Sequence, residues 1–166
     1  MNELLLAAAL AAAGTTAPRL DASGARVSRR PAADATVRAV WRQSSYDGPR
    51  RRYDCIPALH AVAAALDAVE AKSVSRGCSG SRGVFATWSA LTPLKDGETP
   101  SGPVVEASWV RAQLQFSLSD PRGCSAFAET LEHMLDVLPV RNVNVSVFCQ
   151  PGSSFISAGF DYPAAP

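Results

Sequence analysis

The sequence predicts an α+β domain, a mostly antiparallel sheet flanked by two or three helices, built on a repeated strand-helix-strand unit. The main evidence is an internal echo. VRAQLQFSLSD, residues 110–120, is followed by a short polar turn and CSAFAETLEHML, while VRAVWRQSSYD, residues 37–47, is followed by a longer turn and CIPALHAVAAAL. Both copies place Asp ten residues after Val, and both place Leu eleven residues after Cys, Leu66 after Cys55 and Leu135 after Cys124. The second observation is bulk composition: 166 residues, 47% hydrophobic and 19% charged, are enough for one buried core and too few for two large ones. The expected organisation is therefore a single domain over 1–166.

In chain order, residues 1–16 predict an N-terminal helix, since the run from Leu4 to Ala13 is made of Leu and Ala, both strong helix formers. That run has the length of a secretion-signal core, but Glu3 precedes it and no Lys or Arg does. It is also shorter than the roughly 20 apolar residues that a bilayer span needs. No membrane segment is expected. Residues 21–35 are poor in core formers and read as an arm.

The first unit is expected over 36–91. Its strand puts Val37, Ala39 and Trp41 on one face and Arg38 and Arg42 on the other, and its helix carries an apolar stripe of Leu59, Val62, Ala63, Leu66 and Val69. Asp54 stands where a cap is wanted and Pro57 falls in the first turn. Residues 73–83 read as a loop, and a strand follows at 83–91. After a second Gly/Pro-rich loop at 92–103 comes the second unit, expected over 103–150. Val110, Ala112, Leu114, Phe116 and Leu118 alternate with Arg111, Gln113, Gln115, Ser117 and Ser119, the period of a half-buried strand. The helix then shows Phe127, Leu131, Met134, Leu135 and Leu138, with Glu129, Glu132 and Asp136 left for solvent. Val143, Val145, Val147 and Cys149 close the unit as a strand, and residues 151–166 read as a C-terminal arm. Two such units imply a sheet covered on one face by two helices, with Leu66 and Leu135 in corresponding core positions.

Cys55, Cys78, Cys124 and Cys149 are widely spaced and form no CxxC pair. A secreted chain of this size would hold two disulfides, whereas a cytosolic one would bury thiols. Because Cys55 and Cys124 begin helical patterns and Cys149 ends a strand pattern, the four read as buried reduced thiols.

No catalytic or metal constellation is found. His60 and His133 occupy unrelated helix positions; no GxSxG elbow is present, and the stretch GCSGSRG lacks the ending of a phosphate-binding loop. Asp47 and Asp120 sit at strand ends before turns, where Asp is favoured for hydrogen bonding. The triplet Asn144-Val145-Ser146 matches a glycosylation sequon, but in an apolar-alternating strand it reads as a chance occurrence. The expectation is a protein that is not an enzyme and takes no cofactor or metal. A net charge of +1 gives no global field for nucleic acid or membrane. The local exception is the turn holding Arg50, Arg51 and Arg52, either a basic patch for a phosphate backbone or acidic neighbour, or a solvated turn. Lys95 and Asp96 in the second loop, and Asp161 and Tyr162 in the expected arm, complete the interaction candidates.

The strand SWVRAQLQFSLSD, the short turn, the helix AFAETLEHMLDVL and the closing strand resemble the pattern of tail terminator (tail completion) proteins of long-tailed bacteriophages. The likeness covers roughly residues 103–149, with MNELLLAAALAAAGT as the opening helix. It implies a virion protein of the tail or neck, assembled in the host cytoplasm. In that family the subunit forms a homo-oligomeric ring, usually a hexamer, that joins the tail tube to the head connector and has no cofactor and no membrane. Transient DNA contact would then fall to the arginine turn. The first unit, with its triple arginine, has no place in that family pattern. The alternative from another class is a secreted or periplasmic disulfide-containing binding domain with a cleaved N-terminal signal.

Overall fold

The computed structural model describes residues 19–20, 25–48, 55–79 and 83–166. In chain order these form β1 (Arg19–Leu20), β2 (Arg26–Asp47), α1 (Cys55–Ala68), β3 (Lys72–Cys78), β4 (Val84–Pro93), β5 (Val105–Leu118), α2 (Pro121–Val137), β6 (Arg141–Gln150) and β7 (Ser153–Ala164). The strands make one seven-stranded sheet in the order β3-β4-β2-β5-β7-β6, with β1 paired to β2 off that path. All pairings are antiparallel. The α+β class and the mostly antiparallel sheet are as expected, with two helices among the described residues. The expected helix at 1–16, the cap at Asp54 and the turn with Arg50, Arg51 and Arg52 lie outside them.

The two helices pack against each other and against one face of the sheet. The Asp120 side chain starts α2 by accepting hydrogen bonds from the N–H groups of Arg122 (3.2 Å) and Gly123 (2.9 Å), with Pro121 pre-set for the first turn. From there Phe127, Leu131, Met134 and Leu135 reach a core shared with Leu66 of α1 and with Trp88, Leu114, Ile156 and Phe160 of the sheet. Helix α1 is buried almost all round, by Ala58, Ala61, Ala64, Ala65 and Ala68 as well as Val62 and Leu66, because alanines let it lie close to both the sheet and α2.

Several sequence expectations are corrected. Each helix is followed by two strands, β3 and β4 after α1, β6 and β7 after α2, where one was expected. Most of the presumed loop at 73–83 belongs to β3, an edge strand with no buried residue and therefore no apolar alternation to betray it. Arg26 to Arg30 of the presumed N-terminal arm pair with β5. The presumed C-terminal arm is β7, which pairs with β5 along Ser108 to Leu118. Pro163 is tolerated there because β6 begins at Arg141, opposite Asp161, so the proline lies past the end of that neighbour.

The two strands of the echo face opposite sides of the sheet. Val37 pairs with Ala107 and Ala39 with Val105, and together with Trp41 and Leu91 they form a small cluster on the face away from the main core. Val110, Ala112 and Leu114 face the main core. An odd shift along a strand exchanges its faces, so residues 37–41 and 110–114 are not equivalent.

The reading of four reduced thiols is overturned. Cys55 is bonded to Cys78 and Cys124 to Cys149, with Cα atoms 6.1 and 5.7 Å apart, and no described cysteine is free. Each bridge ties the first turn of a helix to the edge strand after it. Spacing alone could not decide this, because four cysteines allow three pairings.

Candidate functional site

The face of the sheet that carries no helix presents an organised polar surface. Its side chains follow from strand alternation. With Leu114 and Phe116 committed to the core, Arg111, Gln113, Gln115 and Ser117 of β5 point the other way, as do their partners Arg30, Ser28 and Arg26 of β2. Gln43, Ser45, Gln115 and Ser117 are exposed, and the small cluster around Ala39, Leu91 and Ala107 anchors one end of the face.

One cross-strand row concentrates charge. Arg30 of β2 stands opposite Arg111 of β5, Arg111 opposite Asp161 of β7, and Asp161 opposite Arg141 of β6. Asp161 is only 5% exposed. Its carboxylate accepts hydrogen bonds from Arg111 Nη1 at 3.1 Å and from Asn142 Nδ2 at 2.7 Å, with Arg141 Nε at 3.7 Å. Arg111 Nη1 also donates to the Asn142 carbonyl at 2.9 Å. The guanidinium lies down over Gly159, where a Cβ would sit 2.8 Å from Arg111 Nη2, so a side chain at 159 would displace it. Arg141 then stacks on Trp109, its guanidinium carbon 3.9 Å from the ring centre.

A similar cation–π contact occurs on the other half of the sheet, where Lys72 Nζ lies 4.1 Å from the Trp41 ring centre. Lys72 and Arg141 each begin an edge strand, and each is followed by a residue in the left-handed region, Ser73 (φ 52°) and Asn142 (φ 53°), where the register shifts. Beyond the row, Phe148 of β6 and Phe155 of β7 stand opposite each other, 49% and 40% exposed. The face therefore carries Arg26, Arg30, Lys72, Arg111 and Arg141 against Asp47 and Asp161, with aromatic side chains interleaved.

The predicted interaction residues separate. Lys95 and Asp96 are exposed in the loop after β4, on the opposite half of the sheet from Asp161. That loop is drawn back by Glu98, which accepts a hydrogen bond from the Lys95 N–H and pairs with Arg42. Those two contacts, the backbone one first, hold the Glu98 carboxyl below its usual range. Asp161 is a central member of the charged row, and its neighbour Tyr162 points the other way into the core, 1% exposed, so it is not a surface contact. Burial, reinforced by Glu70 and opposed by Arg29, pushes the Tyr162 hydroxyl up to about 12.

Sequence reasoning passed over Trp109, Arg111, Arg141, Asn142 and Gly159. The available signal was the pair VRAVW and VEASW, residues 37–41 and 105–109, which places Trp41 and Trp109 in register. Among the described residues no group of three His, Cys, Asp or Glu side chains gathers to hold a metal, and no helix is long and apolar enough to cross a membrane. No protein-family model, curated protein or solved structure matches the chain.

Proposed function

We propose that the protein is a secreted or periplasmic binding domain, stapled by two disulfides, that presents its helix-free sheet face to an acidic segment of a partner protein. The observation that carries this reading is the pair of disulfides, since such bonds persist in oxidising compartments and are rare in the cytosol. Charge complementarity selects the partner: the face has an excess of guanidinium and ammonium groups and exposed Gln and Ser for hydrogen bonding. We further read the chain as two copies of one strand-helix-strand-strand unit. In support, each unit has a Trp on its first strand, a cation stacked on that Trp from the edge strand, a left-handed residue next to the cation, and a disulfide from helix to edge strand.

The test is binding of an oligoglutamate peptide to the oxidised chain at rising salt. Arg26→Glu with Arg30→Glu, both exposed and neither hydrogen-bonded to Asp161, is expected to abolish binding while the variant still folds, as read by circular dichroism. Binding that survives this double variant would contradict the charged-face reading.

A second reading is the virion ring subunit that the tail-terminator likeness implies, joining tail tube to head connector. It is favoured by the edge strand β6, where Val143, Val147 and Phe148 are exposed and whose outer side has no strand neighbour among the described residues. Native mass separates the two: the ring reading requires a closed oligomer, the binding-domain reading does not.

A further inference from the structure

We propose that Asn144 carries an N-linked glycan that covers the β6 edge of the sheet. The inference rests on the oxidising, secretory reading above. The triplet Asn144-Val145-Ser146 satisfies the sequon, with a middle residue other than proline. Its position removes the objection raised by an apolar strand. Among the described residues β6 has a strand neighbour on one side only, and within it Val145 turns inward to the core while Asn144 and Ser146, two residues apart on the same face, are both exposed. The two side chains that the modifying enzyme must engage are thus outward together, on the open margin of the sheet.

The two sheet edges differ in a way that the glycan would resolve. β3 is guarded by Lys72 and Arg76, the kind of charge that keeps an edge from pairing with another chain. From Asn142 to Gln150, β6 has no charged residue and no proline, and it exposes Val143, Val147 and Phe148 beside Phe155 of β7. An uncharged strand edge with exposed apolar side chains is a template for association. A bulky hydrated sugar chain on Asn144 blocks that approach. It also confines partner binding to the part of the face around β2, β3 and β4, where Arg26, Arg30, Lys72 and Trp41 lie.

The covalent step uses a lipid diphosphate-linked oligosaccharide as donor. The Asn144 Nδ2 atom bonds to the anomeric carbon of the reducing-end sugar, and the bond from that carbon to the diphosphate oxygen breaks. The lipid diphosphate leaves with the electron pair, and one amide proton passes to solvent.

The experiment is secretion of the full chain from a eukaryotic host, followed by intact mass with and without peptide N-glycosidase, under alkylation without reductant. The expected result is a chain that takes up no alkylating agent and has a glycosidase-sensitive mass increment mapped to the peptide containing Asn144. Asn144→Gln and Ser146→Ala lose the increment, and Ser146→Thr keeps it. An oxidised chain with unmodified Asn144 overturns the glycan while the oxidised reading stands; a chain with four reactive thiols and no glycan overturns both. The covering role is read by sedimentation of the folded protein before and after glycosidase. A several-fold rise in the associated fraction is expected, and an unchanged distribution would overturn it.

Discussion

Arg111 reaches across the β5–β7 pair to place Nη1 3.1 Å from the Asp161 carboxylate, and the same Arg111 stands directly opposite Arg30 on its other side. Like charges opposite each other in a sheet are destabilising. Asp161 is what makes the row tolerable, and it also receives Asn142 and lies beside Arg141. Asp161→Ala is therefore expected to cost roughly 1 to 3 kcal/mol, the range for losing hydrogen bonds to a charged group. Urea denaturation of this variant, with Arg30→Ala added in a second chain, checks the argument: relieving the facing arginine should recover part of the loss.

Gly159 provides a separate check on the same row. A Cβ at that position meets the Arg111 guanidinium head-on. Gly159→Ala should push Arg111 off Asp161 and lower stability, while Gly159→Ala combined with Arg111→Ala should be less destabilised than the sum of the two. Additive effects in a double-mutant cycle would contradict the contact.

Alkaline pH should expose the buried tyrosines. Folding raises the Tyr162 hydroxyl from 10.0 to about 12, chiefly by burial, and raises Tyr46 by burial with help from Glu129. A folded-state value above the unfolded one keeps the native proton bound while the unfolded chain sheds it. The stabilising contribution is thus intact below pH 10 and is lost as pH rises toward 12. Denaturation midpoints measured across that window should fall, and Tyr162→Phe should flatten the decline. An identical decline in the variant would show that Tyr162 is not responsible.

Leu66 and Leu135 are both buried in the shared core, 0% and 3% exposed. Replacing either by Ala is expected to cost roughly 2 to 5 kcal/mol, as cavity-forming truncations do. Calorimetry or urea titration would check this, and a loss of a few tenths would mean that the site behaves as an exposed one.

Much of the fold was legible where burial is one-sided. The alternation of β5 and the stripe of α2 each reflect one face against the core and one against water. The edge strand β3 was hidden for the opposite reason, since none of its residues is fully buried and it shows no apolar alternation. In β7 a proline past the end of β6 resembled a loop signal. The echo matched Val37 with Val110 by residue type, but the first packs in the small cluster and the second against the main core on the other face. The cysteine pairing was illegible because it depends on how helix and edge strand meet in space. The charged row draws one residue from each of four strands, Arg30, Arg111, Asp161 and Arg141, and no sequence spacing records that.

Each half of the chain is closed on itself by its own disulfide. Each bridge, joining residues 23 or 25 apart, is expected to contribute roughly 3 kcal/mol by restricting the unfolded chain. The most direct test is peptide mapping by mass spectrometry of the chain digested without reduction. Two cross-linked species are expected, Cys55 with Cys78 and Cys124 with Cys149, that separate into their component peptides on reduction. Four alkylated cysteines, or a bridge from either half to the other, would contradict it.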